Sequence, residues 1–230
     1  MEYNPFSLSG KTILITGASS GIGKAVAIEC SKAGARTILT ARNTERLKEV
    51  HSLLADHDGQ PPFIEADLST DEGIETLVSQ CPKLDGAFIN AGISINVPIA
   101  FINREKLTEI FDINTFAPIL LTRSLVKAKK LNKGASLVYT SSVSGNNTVT
   151  VAHEMYSATK TAITGFMRNT ALDLAPKHIR ANAINPGMVN TPMVHSGKYS
   201  DEQLQKDMDN YPLKRFGEPE EVAVSYTHLR

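Results

Sequence analysis

Short β-type apolar runs alternate with helix-length segments along almost the whole chain, and that alternation leaves few folds open. Thr12–Thr16, Arg36–Ala41, Phe63–Ala66, Leu84–Asn90, Ser136–Thr140 and Ile179–Asn185 read as strands. Between them, Ile22–Ala33 has helical pattern and ends at Gly34, a natural helix stop. Thr44–Leu54 carries Leu47, Val50 and Leu54 on one face. Ser69-Thr70-Asp71-Glu72 has the form of a capping box opening a third helix. Longer helices are expected over Arg104–Lys130 and Tyr156–Leu174, and a shorter one near Asp201–Asp209. Strands that are nearly continuously apolar and separated by helices form parallel βαβ units covered on both faces. The expected fold is a single-domain α/β, three-layer α/β/α, with a doubly wound parallel sheet over residues 1–230. In such sheets ligands bind beyond the carboxyl ends of the strands, so chemistry should sit just after each one.

The charge balance narrows the partners. Lys+Arg and Asp+Glu are both 24, giving zero net charge. Nucleic-acid binding needs a clustered cationic excess, and the basic knot Lys127, Lys129, Lys130, Lys133 reads as the exposed end of a helix. Cys30 and Cys81 make neither a disulfide framework nor a metal-ligand pattern, so reduced buried thiols and no metal are expected. No secretory signal and no run of about 18 apolar residues is visible, so a cytoplasmic, non-membrane protein is expected.

Directly after the first strand comes Thr16-Gly17-Ala18-Ser19-Ser20-Gly21-Ile22-Gly23. Glycine lets backbone approach a pyrophosphate, and the helix that follows supplies N–H donors and a positive dipole end. The spacing is Gly-x-x-x-Gly-x-Gly. A tight turn that merely needs glycine is the bland reading; the position after strand one favours a dinucleotide. At the end of strand two an acidic residue would favour NAD. The chain has Ala41-Arg42 there, and an arginine can pair with a 2′-phosphate, which favours NADP(H) over NAD(H). Asp67-Leu68 falls where an adenine would lie, although Asp67 reads almost equally well as a helix-start residue. Asn90-Ala91-Gly92 makes a small-residue turn after strand four.

Tyr156 and Lys160 stand at i and i+4 and share a helix face after strand five. A phenol titrates near about 10, and a neighbouring ammonium with a nicotinamide cation would lower that and make Tyr156 a usable acid/base. A hydroxyl from Ser141, Ser142 or Ser144 could hydrogen-bond a substrate carbonyl. No His–Asp pair stands out to make a hydrolase triad. Asn114 interrupts an apolar helical run and must find partners if buried.

Taken in order, Thr16-Gly17-x3-Gly21-x-Gly23, Asn90-Ala91-Gly92, Asn114, Ser142, Tyr156-x3-Lys160 and Asn185-Pro186-Gly187 resemble the classical short-chain dehydrogenase/reductase family. The resemblance implies a Rossmann-like domain with a seven-stranded sheet and NAD(P)-dependent interconversion of a carbonyl and a secondary alcohol. It implies Tyr156 as acid/base and Lys160 as ribose binder and modifier of the phenol. It also implies Ser142 as carbonyl orienter and Asn114 as keeper of a relay water. Gly17, Ser19, Ser20, Gly21, Ile22, Gly23, Arg42, Asp67, Leu68, Asn90, Ala91, Gly92, Pro186, Gly187, Val189 and Thr191 are the implied cofactor contacts. The substrate is expected to be a small carbonyl compound or alcohol, a 3-oxoacyl thioester by analogy, with Met193–Lys206 as a lid. A homodimer or homotetramer is expected where the C-terminus is complete. After Val224 the chain departs from the family: residues 225–230 show no helical apolar period, which would leave strand six as a raw edge. Two rivals remain, a non-catalytic NADP-binding regulatory or scaffold protein and a methyltransferase on a related fold. The second predicts an acidic strand-two end and no need of Tyr156-x3-Lys160.

Overall fold

A computed structural model describes residues 4–55, 63–197 and 199–229. Its six strands are β1 (Thr12–Thr16), β2 (Arg36–Ala41), β3 (Ile64–Glu65), β4 (Leu84–Ile89), β5 (Leu131–Thr140) and β6 (Arg180–Ile184). They form one parallel sheet in the order β3-β2-β1-β4-β5-β6. This is the Rossmann-like doubly wound order expected from the alternation. Its direction reverses between β1 and β4, where the connections run to opposite sides and a crevice opens.

The strands pair as they do because they are rich in large aliphatic residues and buried on both faces: Ile13, Leu14, Ile15, Ile38 and Leu39 are all essentially inaccessible. One face packs Leu14, Ile38, Ala87 and Leu137 against α3 (Asp71–Gln80), α5 (Ala117–Lys127) and α7 (Glu154–Leu174). The other packs Ile13, Ile15, Leu39 and Phe88 against α1 (Gly21–Lys32), α2 (Thr44–His51) and α9 (Pro219–Leu229).

Several elements differ from the expectation. The helix expected over Arg104–Lys130 is broken in three: α4 (Arg104–Phe111), a π turn over Asp112–Phe116, then α5. Pro118 in the first turn of α5 lacks an N–H, which suits a restarted helix. Strand β5 starts at Leu131, five residues before the compact apolar run, and pairs with β4 across a register shift between Leu84 and Gly86. Helix α3 is capped by Thr70, whose hydroxyl accepts from the Gly73 amide, rather than by Ser69. The expected 156–174 helix starts at Glu154, and a short α6 (Val143–Asn146) precedes it. The short helix expected near Asp201–Asp209 is present as α8 (Asp201–Met208), and it opens with a full capping box from Ser200 and Gln203.

The tail is corrected most. Helix α9 runs on to Leu229, packs along α1 and buries Tyr226 completely. The ring stacks edge-on against Phe88 at 5.7 Å, a geometry worth about 0.5–1.5 kcal/mol beyond burial. Its hydroxyl presses on Gly86, where a Cβ could not fit, and has no hydrogen-bond partner. As expected, β6 pairs only with β5 among the described strands. Arg230 of the expected tail lies outside the described residues.

Candidate active site

A cleft of about 610 Å³ lies across the carboxyl ends of β1, β2, β4 and β5. Its floor at one end is the loop after β1. Gly17 and Gly21 have φ of +65° and +51°, a left-handed backbone that a side chain would strain. Gly23 has no room for a Cβ, because the Gly17 carbonyl occupies that space. Ser20, the residue before α1, makes no side-chain cap, whereas Asn43, Thr70, Asn103 and Ser200 cap α2, α3, α4 and α8. Helix α1 thus opens onto the cleft without a side-chain cap, and its first amides are the kind of donors an anion takes up.

The middle of the floor is held by Asn90. Its amide and that of Ala91 donate to the Thr16 hydroxyl at 2.8 and 3.0 Å, and Thr140 donates to its Oδ1 at 3.1 Å. One residue therefore ties the ends of β1, β4 and β5. On the far side, Arg42, Asn43 and Arg46 line the cleft beyond β2. Arg46, in the first turn of α2 and four residues after Arg42, is not among the residues expected from the sequence. Asp67 also lines the cleft, but its carboxylate accepts from the Ser69 amide at 3.0 Å and the Ser69 hydroxyl at 2.7 Å. Burial opposes ionisation there; the Ser69 bonds and the Arg42 charge outweigh it and hold Asp67 below the usual carboxylate range. The helix-start reading of Asp67 thus holds alongside its place on the wall.

At the other end Tyr156 and Lys160 project from α7. Lys160 is 5% exposed, and its ammonium donates to the Thr140 carbonyl at 2.8 Å and lies 5.6 Å from the Tyr156 ring centre. Desolvation pushes Lys160 down to about 8. Burial raises the Tyr156 pKa, and a hydrogen bond from Ser142 pulls the other way. A proton donor is what such a group offers.

Asn114 is buried behind the wall on the π turn. Its Oδ1 accepts from the Ile93 amide at 2.8 Å, and Nδ2 donates to the Ile93 carbonyl at 2.9 Å and to Thr159 Oγ1 at 3.2 Å. It anchors the chain after β4 directly beneath Lys160: a Cβ on Gly92 would sit 3.1 Å from Asn114 Oδ1 and 3.5 Å from Lys160 Nζ. The structure thus brings Asn114, Tyr156 and Lys160 together, with Ser142 on Tyr156.

The remaining residues divide. Gly17, Ser19, Ser20, Gly21, Ile22, Arg42, Asp67, Leu68, Asn90, Ala91, Gly92 and Thr191 line the cleft. Thr191 rests over Gly21, where an added Cβ would touch its methyl at 3.1 Å. Gly23, Asn114, Ser142, Pro186, Gly187 and Val189 are set back from the wall. Pro186 accepts from the Val143 amide, Gly187 faces Tyr211, and Val189 is buried in an isolated bridge to Gly217. Among the described residues no group of three or more His, Cys, Asp or Glu is placed to hold a metal, and no helix is long and apolar enough to cross a membrane.

The chain is similar to known oxidoreductases along nearly its whole length. It is 32% identical over 226 residues to a 3-oxoacyl-[acyl-carrier-protein] reductase of Rickettsia felis, covering 96% of this chain and 90% of that protein. It is 34% identical over 243 residues to glucose and ribitol dehydrogenase homolog 2 of Arabidopsis thaliana, covering 99% and 82%. A solved Beutenbergia cavernae structure, assigned as an NAD(P) dependent gluconate 5-dehydrogenase with NADP bound at low occupancy, superposes with a TM-score of 0.86 at 28% identity, covering 98% of this chain and 91% of that one. The family model for short chain dehydrogenase matches residues 11–202. With that match and these relatives, the glycine loop and the Tyr156–Lys160 corner lie in a chain that belongs to the short chain dehydrogenase family, an oxidoreductase.

Proposed function

We propose that this chain is an NADP(H)-dependent oxidoreductase that interconverts a carbonyl and a secondary alcohol, with Tyr156 as general acid/base. The observation that carries the reading is Tyr156 on the cleft wall, one helical turn from the buried Lys160, whose Nζ lies 5.6 Å from its ring. The residues present fit a dinucleotide: the glycine cradle admits backbone-close phosphates, and the open start of α1 offers donors to them. When bound, the nicotinamide supplies the hydride chemistry that the protein's own side chains cannot. On substrate binding the Ser142 hydroxyl, which otherwise donates to Tyr156, would turn to the carbonyl oxygen and orient it together with the Tyr156 hydroxyl. Tyr156 gives up its proton as negative charge builds on that oxygen. The buried Lys160 ammonium stabilises the phenolate that remains and binds the ribose. Asn114 holds the Ile93 segment against this corner. Both Nδ2 protons of Asn114 are engaged, so backbone at the π turn is the better support for a relay water.

Preference for NADP rests on Arg42 and Arg46, which converge on the cleft beyond β2 where no carboxylate ends the strand. The substrate is a small ketone, a 3-oxoacyl thioester being favoured by the reductases among the relatives. The test is cofactor titration by fluorescence together with turnover of a panel of carbonyl compounds, acetoacetyl-coenzyme A included. NADPH should bind at least about tenfold more tightly than NADH, and Arg42→Ala should remove most of that difference. Ala41→Asp should shift preference toward NADH. Equal affinity of the native chain for both cofactors would sink the NADP assignment.

A further inference from the structure

Three segments that are far apart in sequence meet beside Tyr156 through one hydroxyl. Tyr199 lies in the lid, on the stretch between β6 and α8. Its ring belongs with a small apolar cluster of Val194, Leu204 and Phe216 that gives the lid its own core. Its hydroxyl leaves that cluster and accepts a hydrogen bond from Asn96 Nδ2 at 2.7 Å, on the loop after β4. The same oxygen lies 3.3 Å from His153 Nε2, at the start of α7. His153 stands three residues before Tyr156, and the two rings are 6.1 Å apart in an edge-on arrangement. Asn96 is itself fixed, since its Oδ1 accepts from Ser94 at 2.8 Å.

A phenol has one proton and can accept as well. With Asn96 donating to it, the Tyr199 oxygen can still give its own proton to His153 Nε2 or accept one from it, and in either case the hydroxyl joins Ser94, Asn96 and His153 in one set of bonds. Among the described residues, the other lid residues meet the cleft or one another without a side-chain hydrogen bond to α7. Met193 and Pro192 contribute lining, and the Val194 and His195 amides bond back to Thr191 within the lid itself.

We infer that Tyr199 is the latch of a lid over the carbonyl end of the cleft. Its hydroxyl seats the lid on Asn96 and on His153, the residue packed against Tyr156, so that lid closure and the placing of the Tyr156 ring are one event. Tyr199 is then a positioning residue. It touches neither reactant and acts through His153 and through the lid. The role assigned to Tyr156 rests on the function proposed above; the latch itself does not.

The experiment uses the full chain without ligand. Tyr199→Phe removes only the hydroxyl and leaves the ring in its apolar cluster; Asn96→Ala removes the donor; a double variant combines them. Hydrogen–deuterium exchange of peptides spanning 191–208 is read by mass spectrometry. Each single variant should speed exchange in these peptides about fivefold or more, the effect of one lost hydrogen bond, and the double variant should add little. Exchange elsewhere, in α1 and β1 for example, should not change. Native-like lid exchange in Tyr199→Phe, or full additivity in the double variant, overturns the latch. A second reading follows turnover of the carbonyl that the native chain accepts best. Tyr199→Phe should raise KM about fivefold with kcat changed less and NADPH affinity unchanged; a pure kcat loss contradicts lid seating. The Tyr156→Phe variant separates the two ideas. Substantial turnover there removes the proposed acid, while the exchange data still decide the latch.

Discussion

At the Gly17 end the cleft wall is mostly backbone: two left-handed glycines, the open amides of α1 and a strand junction knotted by Asn90. At the Tyr156 end it is side chains delivered by separate segments, with Ser142 after β5, Tyr156 and Lys160 on α7, and Asn114 on the π turn behind them. A backbone wall recognises what all dinucleotides share, and changing it requires moving the chain. A side-chain wall can be altered one residue at a time. On the proposed function the first end would serve binding of a constant partner and the second would serve chemistry and choice of substrate.

The largest test of that division is Tyr156→Phe. Turnover should fall by about 10²–10⁴, the usual worth of a placed proton donor, while NADPH affinity stays within about twofold. Activity assay and cofactor titration on the same preparation check both halves. Gly23→Ala should do the reverse. The added methyl meets the Gly17 carbonyl, so the loop must shift, and NADPH affinity should fall by at least about tenfold with a lowered Tm. If the glycine variant binds normally and the tyrosine variant does not, the two ends have been assigned the wrong way round.

Lys160 belongs to both ends and sharpens the comparison through pH. Burial holds its folded-state pKa at about 8, below the 10.5 of an exposed lysine. The unfolded chain thus binds the proton more strongly, so this group adds stability as pH climbs from about 8 through 10.5. Lys160→Met should be more stable than the native chain near neutrality by roughly 1–3 kcal/mol and should lack that rise. Chemical denaturation of both proteins at several pH values measures it. A native protein whose stability relative to Lys160→Met does not change over this range would show that the ammonium is compensated in a way the Thr140 carbonyl alone does not provide.

The smallest effect is expected far from the cleft. Tyr226→Phe removes a buried hydroxyl with no hydrogen-bond partner while keeping the ring against Phe88, so stability should change by less than about 1 kcal/mol, in the stabilising direction. A larger loss would reveal a partner for that oxygen.

What was legible in the sequence follows the same division. Glycines in a strand-to-helix turn, a missing carboxylate after β2 and an i, i+4 Tyr–Lys pair are local patterns, and each lies where its motif put it. The Asn96–Tyr199–His153 contact joins residues 103 and 46 positions apart, and no local period announces it. The tail misled for another reason. Ala223 and Tyr226 are three apart and face one side of α9, but a tyrosine among polar neighbours reads as surface until the Phe88 contact is seen. The spacing that puts Lys160 on the same face as Tyr156 says nothing of how deeply both are buried, so the desolvation of the pair is not legible in the sequence.

The π turn over Asp112–Phe116 has a consequence of a different sort. A π turn holds one residue more than the α-helical path it replaces. The buried positions Ile110, Ala117, Leu121 and Leu125 would otherwise read as a single helix. Substitution cannot remove that extra residue; only deletion can. Deleting one residue here would let α4 and α5 fuse into a continuous helix and rotate everything on one side by about 100°. Asn114 would then swing away from Ile93, and the loop after β4 would lose its tether. The segment should accordingly tolerate changes of residue type far better than changes of length, the reverse of what is expected for an exposed loop.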